Sequence, residues 1–298
     1  MVRIPLPRVP PYRLRIGPRP KTRVWRGHPR SVPQAILGFS AETLDLRAQR
    51  RSCTPLTSAA VLAIFMGVFS TQARAAEAKT INIVVVTGGH GFDEKEFPKL
   101  FAGYPDIKVD FKALKNEAEI FDDVSDWKYD VIVFYHMTQQ MSEKRAANFL
   151  ALLDKGVGVV ALHHCIGAFQ DWPEWRNIIG GKFFTKEGTV DGKKWAVSPW
   201  KDDVKMNVHI EAEHPITAGL KDFTVTDEAY KNQWHDPEAK LLLSTVEPLQ
   251  DQQLAWAKTF HKANVCYIQL GHGPGIFTDP NYRQLVSQAI RWAATPAK

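Results

Sequence analysis

Beyond residue 75 the chain alternates short, unbroken apolar runs with amphipathic stretches. Ile81–Val86 is β-branched at every position but Asn82. Such a run predicts a strand covered on both faces, as in a parallel sheet, rather than one with a wet side. Thr87-Gly88-Gly89-His90-Gly91 follows, and then a helix predicted to open near Asp93-Glu94 and to bury Phe97, Leu100 and Phe101. Ile107–Phe111, Asp130–Tyr135 and Val157–Leu162 predict three more strands, and Val265–Leu270 another of the same core type. Ser142 is placed to cap a helix whose Phe149, Leu150, Leu152 and Leu153 face a core and which Gly156 ends. Asp279 and Pro280 open the last helix, with Tyr282, Leu285, Val286, Ala289, Ile290 and Trp292 at helical spacing. Strands alternating with helices in this way form βαβ units. The predicted class is α/β: a doubly wound, mostly parallel sheet flanked by helices, of flavodoxin-like type.

Between residues 182 and 260 the texture changes. Tryptophans, charges and short strand-like pieces (Met206–Ile210, Phe223–Thr226, Leu241–Thr245) predict added strands and long loops on the same sheet. With no repeat and no linker, residues 76–298 are expected to form one domain.

The first 75 residues differ in kind. Of the 38 Lys and Arg, 13 lie in residues 1–75, against 2 of the 32 Asp and Glu; residues 76–298 therefore hold 25 basic and 30 acidic side chains, a net charge of −5. The overall basic balance belongs to the leader, so no nucleic-acid footprint is expected on the domain. Residues 1–46 read as a basic, Pro- and Arg-rich leader that cannot bury enough surface to order itself, or as an over-extended gene start. Residues 47–75 carry Arg47, Arg50 and Arg51, an apolar run from Leu56 to Ser70, and Ala73-Arg74-Ala75, the layout of a secretory signal peptide. A helix that spans a bilayer needs about 20 apolar residues. This run is shorter, which argues for cleavage before Ala76 and a periplasmic or secreted protein, with no stable membrane insertion afterwards. Cys165 and Cys266 are the cysteines that would remain.

Candidate chemistry follows from topology. In open α/β sheets, ligands bind beyond the carboxyl ends of the strands. His90 follows the first strand, His136 the third, His163 and His164 the fourth, and His272 follows Val265–Leu270. Imidazoles there can move protons near neutral pH or bind a metal. His163, His164, His90 and His272 are therefore the catalytic candidates, together with Asp227 and Glu228 from Asp227-Glu228-Ala229-Tyr230. Trp172, Trp175, Tyr230, Trp234 and His136 are the substrate-binding candidates, because flat aromatic faces among polar loops suit sugar rings. Five tryptophans crowd this region: these three with Trp195 and Trp200. No cofactor is assigned. A divalent metal is left open, with His90, His163, His164 and His272 as alternative ligands and His209-x-Glu211-x-Glu213-His214 as a weaker start for a site. The Ala161–Phe169 elbow also offers Cys165 as a thiol nucleophile, against the plainer reading of an unreactive buried cysteine. Gly89-x-Gly91-x-x-Glu94 lacks the third glycine of a dinucleotide loop.

Several segments together resemble the ThuA (trehalose-utilisation) family. They are Thr87–Asp93, the His163-His164 elbow, Trp175 through Gly180-Gly181-Lys182-Phe183, His214–Leu220, Asp227–Tyr230 and Gly271-His272-Gly273. The resemblance runs over roughly residues 81–295. It implies a class I glutamine amidotransferase-like fold and bacterial handling of trehalose-related or oxidised (keto) sugars. No amidotransferase-style Cys-His-Glu set is evident, which weakens Cys165 further. Three functions follow as expectations. The first is an exported enzyme of hydrolase, lyase or isomerase type that acts on a small-molecule sugar or glycoside through its strand-end histidines. The others are a non-catalytic sugar-binding protein and a Cys165-dependent amidase or hydrolase. The sequence assigns no oligomeric state.

Overall fold

The continuous apolar runs are continuous because they form the middle of a sheet buried on both sides. The computed structural model describes residues 79–115 and 117–297; the predicted leader (1–46) and signal peptide (47–75) lie outside the described residues. Thirteen strands are present among them: β1 (Ile81–Gly88), β2 (Ile107–Ala113), β3 (Val131–His136), β4 (Gly158–Leu162), β5 (Gly181–Lys182), β6 (Gly188–Val190), β7 (Lys193–Trp195), β8 (Trp200–Ile210), β9 (Phe223–Tyr230), β10 (Trp234–His235), β11 (Lys240–Ser244), β12 (Gln253–Phe260) and β13 (Ala263–Ile268). Nine of them form the main sheet, in the order β2-β1-β3-β4-β13-β12-β11-β8-β9.

Strands β2, β1, β3, β4 and β13 run parallel. Side chains of a strand alternate between faces, and two cores result. Ile83, Val85, Val131, Val133, Val160 and Ile268 point to one side, where α3 (Pro280–Ala293) lays Tyr282, Leu285, Val286, Ala289 and Ile290 on them. Val84, Val86, Ile132, Phe134, Val159 and Tyr267 point to the other, where they meet α1 (Glu143–Asp154) and α2 (Pro173–Ile179) through Phe149, Leu152, Leu153, Trp175, Ile178 and Ile179. The doubly wound arrangement is as the pattern predicts. Caps fall where expected too: the Ser142 side chain accepts Arg145 N–H, and Asp279 accepts those of Asn281 and Tyr282. Helix α3 sits so close that a Cβ on Gly158 would lie 2.2 Å from the Ala293 carbonyl oxygen.

One expectation needs correction. The helix predicted after β1 is a single 3-10 turn, Phe97–Phe101, although Phe97, Leu100 and Phe101 are buried as the pattern requires. Pro98 and the left-handed Gly103 bracket it too tightly for a longer helix. Beyond β13 the sheet is antiparallel, through β12, β11, β8 and β9. Of these, β8, β9 and β11 contain the predicted pieces, while β12 lies where the sequence names no strand. Register decides what this half does for the site. Strand β8 joins β11 only at His209 and Ile210, whereas β8 and β9 pair along their length. The rest of the β8–β9 ribbon is therefore free of the sheet plane, and its Asp227–Tyr230 end reaches the carboxyl edge of the parallel strands.

Candidate functional site

Strand β4 stops at Leu162, and His163 turns the chain with φ of +49°, a left-handed conformation uncommon for a residue with a side chain. A 3-10 turn, His163–Gly167, follows. The sharp turn sets the two adjacent imidazoles nearly perpendicular, 84° apart, so they serve different surroundings.

His163 is fully buried. Its Nδ1 faces the Gln269 carbonyl at 2.7 Å, which makes Nδ1 the donor and leaves the Nε2 lone pair free. That Nε2 accepts the Tyr230 phenol (3.0 Å) and lies 3.0 Å from Glu228 Oε2 and 3.3 Å from His272 Nδ1. His272 Nδ1 is 3.3 Å from the same Glu228 oxygen, and its Nε2 faces Asp202 Oδ1 at 3.2 Å. These side chains come from four segments of the chain, and one framework holds them. The Asp227 carboxylate accepts the backbone N–H groups of Glu228 (2.9 Å), Gly271 (2.7 Å) and His272 (3.0 Å). Gln269 Nε2 donates to the Glu228 carbonyl, Tyr267 to the His163 carbonyl and Tyr135 to the Gly271 carbonyl. Gly271 has φ of +133°, and a Cβ there would lie 2.5 Å from the Tyr282 hydroxyl. Only glycine fits that position.

Burial opposes ionisation of Glu228, but the His163 and His272 imidazoles set against it outweigh this and hold the carboxyl well below the ordinary range. The bond to Glu228 raises the His272 pKa, against partial desolvation. Burial pushes the Tyr230 phenol well up, so it stays a neutral donor. The floor thus carries an ionised carboxylate, a neutral phenol and two imidazoles.

Above that floor opens a cleft of about 400 Å³. His164, His272, Glu228, Tyr230, Asp202 and Phe183 line it, with Trp200 and His90 at the mouth. His164 stacks on the exposed His90 at 4.4 Å, and neither of its ring nitrogens has a partner. Burial, reinforced by His163, His90 and His136, pushes its pKa far down, so the ring is neutral.

Of the catalytic candidates, His90, His164, His272 and Glu228 reach the cleft. His163 sits behind Glu228 and His272, and Asp227 is a buried brace rather than a rim residue. Of the substrate-binding candidates, Tyr230 lines the cleft and the other four do not. Trp175 is core: its Nε1 donates to the Cys165 carbonyl, and it packs on Phe134 and Phe169. Trp172 is half-buried on Phe169. Trp234 donates to Asp191 beneath the Arg176 guanidinium. His136 is fully buried between Phe134 and Phe169. The tryptophan that faces the cleft is Trp200, 60% exposed. His209 pairs with Asp222, Glu211 with Ser244, and His214 packs on Trp292, so that segment gathers no ligand set. Cys165 lies under the elbow, fully buried, and burial raises its thiol pKa well above the usual value, opposite to what a nucleophile needs. Both Cys165 and Cys266 are free thiols.

Two residues of the site escaped the sequence reading. Gln269 had a signal, a polar side chain at the end of an apolar strand run. Asp202 had none: an irregularity between Lys201 and Val204, with Asp203 at φ +56°, aims it at the cleft.

Parallel strands that deliver histidines to one carboxyl edge, under a ribbon that brings a carboxylate down on them, define an α/β protein with a small-ligand cleft. The family model for ThuA, trehalose utilisation, matches residues 82–293, and the chain belongs to that family. Among solved structures, a ThuA-like protein from Parabacteroides merdae ATCC 43184 is similar at 19% identity and a TM-score of 0.61, over 73% of this chain and 91% of that one. A ThuA-like protein from Bacteroides uniformis ATCC 8492 is similar at 19% identity and a TM-score of 0.53, over 74% and 94%. At such identities the likeness concerns the fold alone. No curated protein matches the chain.

Proposed function

We propose that this protein is a sugar-processing enzyme of the trehalose-utilisation type, which acts outside the cytoplasm on a trehalose-related or oxidised sugar. The observation that carries the reading is the meeting of His163, His272, Glu228 and Tyr230 at the floor of a cleft with Trp200 at its mouth. The cleft's volume lies within the range of small-molecule sites. The exposed indole face of Trp200 offers a platform for a sugar ring. His164, neutral and with both nitrogens unpartnered, walls the cleft beneath His90. His272, whose proton Glu228 stabilises, supplies a general acid at an exchangeable, half-exposed position. Tyr230 donates a hydrogen bond without ionising.

The test is turnover of trehalose and its keto derivatives by the full-length chain, followed by chromatography of the products. We expect Trp200→Ala to raise KM with little change in kcat, and His164→Ala or His272→Ala to lower kcat while circular dichroism stays that of the parent. Binding without turnover in the parent would leave a sugar-binding protein on the same scaffold. Export is part of the proposal, and N-terminal sequencing of protein recovered outside the cytoplasm should begin at or near Ala76. No helix among the described residues is long and apolar enough to cross a membrane.

A further inference from the structure

We propose that His163, Glu228 and His272 hold a divalent transition-metal ion, zinc by ligand type, with an open coordination position towards the cleft. His163 Nε2, Glu228 Oε2 and His272 Nδ1 are 3.0, 3.3 and 3.3 Å from one another. Four-coordinate zinc with bonds of about 2.0–2.1 Å sets its ligand atoms about 3.3 Å apart at the tetrahedral angle. The triangle is therefore one face of a tetrahedron of the right size, and two imidazoles with one carboxylate form a ligand set that zinc uses where a fourth position stays open for chemistry.

The outer contacts agree with this. A metal-bound histidine commits its other nitrogen to a carbonyl or carboxylate, which fixes tautomer and ring direction. His163 turns Nδ1 to the Gln269 carbonyl, and His272 Nε2 lies 3.2 Å from Asp202 Oδ1, near enough for charge attraction but not aligned as a hydrogen bond. The His163 Nε2 lone pair thereby aims at the point that Glu228 Oε2 and His272 Nδ1 also face. A proton is the competing occupant, as an imidazolium His272 between Glu228 and Asp202. It leaves His163 Nε2 and Glu228 Oε2, 3.0 Å apart, to share the His272 Nδ1–H and the Tyr230 phenol proton. A cation satisfies all three acceptors at once. With the ion bound, His272 is a ligand rather than a general acid.

The inference rests on the same cleft as the proposed function but not on the sugar, and its test contains none. The full-length chain is stripped with a chelator, dialysed, and titrated with Zn²⁺ alone against a chromophoric competitor. A parallel titration with Co²⁺ reads the visible absorption that reports four-coordinate nitrogen and oxygen ligation. We expect one high-affinity equivalent in the parent, its loss in Glu228→Gln and in His272→Ala, and an affinity roughly 10–100-fold weaker in Asp202→Asn. Circular dichroism of each variant separates lost ligation from lost folding, and Trp200→Ala should bind as the parent does. No stoichiometric binding by the parent would overturn the proposal. So would binding that survives both Glu228→Gln and His272→Ala in folded protein. Either result would leave the sugar reading standing on acid–base chemistry.

Discussion

Replacing His136 by glutamine removes a neutral imidazole from complete burial, and its consequence is read in acid. The ring lies 5.0 Å from those of Phe134 and Phe169 and 5.8 Å from that of Trp175. Its Nδ1 accepts the Thr138 N–H at 3.2 Å, and Nε2 has no partner. Burial pushes the pKa down to about 3, whereas an unfolded chain titrates histidine near 6.5. The folded value lies below the unfolded one, so as the pH falls the unfolded state takes up the proton first. His136 therefore begins to cost stability near pH 6.5 and continues to do so down to about pH 3. One full proton is worth about 1.4 kcal/mol per pH unit, and with only half a proton taken up at the unfolded pKa the loss between pH 6.5 and 4.5 is roughly 2.3 kcal/mol. His164 acts in the same direction. His272, with a raised pKa, contributes stability already present below pH 6.5 and lost only as the pH rises, so it adds no slope in this window. Glutamine keeps an oxygen for the Thr138 N–H and does not titrate. The variant's stability at pH 7.5 will differ from the parent's, but the informative quantity is the slope. Urea unfolding followed by tryptophan fluorescence at half-unit steps from pH 7 to 4.5 should give His136→Gln a dependence shallower by about one proton. Identical slopes in the two proteins would refute the argument. Trehalose affinity should be the same in both, because His136 does not line the cleft.

Two further outcomes follow from the packing. Gly271→Ala adds a Cβ 2.5 Å from the Tyr282 hydroxyl at a φ of +133°, and should lower stability by at least about 2 kcal/mol in urea titration; an unchanged midpoint would contradict the tight seat under His272. Iodoacetamide mapped by mass spectrometry should leave Cys165 and Cys266 unmodified in the native protein at pH 7.5 and label both in denaturant. Native labelling of Cys165 that abolished turnover would restore the thiol nucleophile.

The class of fold was legible because buried parallel strands leave an unmistakable trace. Ile83–Val86, Val131–Tyr135 and Val157–Leu162 are apolar without alternation, and only a strand covered on both faces tolerates that. The caps of α1 and α3 were legible for a similar reason, since Ser142 and Asp279-Pro280 satisfy the needs of a helix start locally. Antiparallel β12 left a weaker trace, because its contacts come from strands on either side rather than from its own pattern. The histidines could be placed at one sheet edge from order alone, since parallel strands present their carboxyl ends together.

Which of those histidines faces a ligand was beyond the sequence. His163 and His164 are adjacent and chemically identical, and a single left-handed φ sends one to the floor and the other to the cleft. Trp175 and Trp200 look alike as letters, yet one fills the core under the elbow and the other faces solvent on a ribbon that leaves the sheet. Asp227 and Glu228 differ as much: the first braces backbone N–H groups, and the second meets two imidazoles. Local pattern fixes elements because a strand or helix needs only its own residues and a buried face. A site fixes side chains from four segments against one another within about 3 Å, and only the packed fold sets those distances.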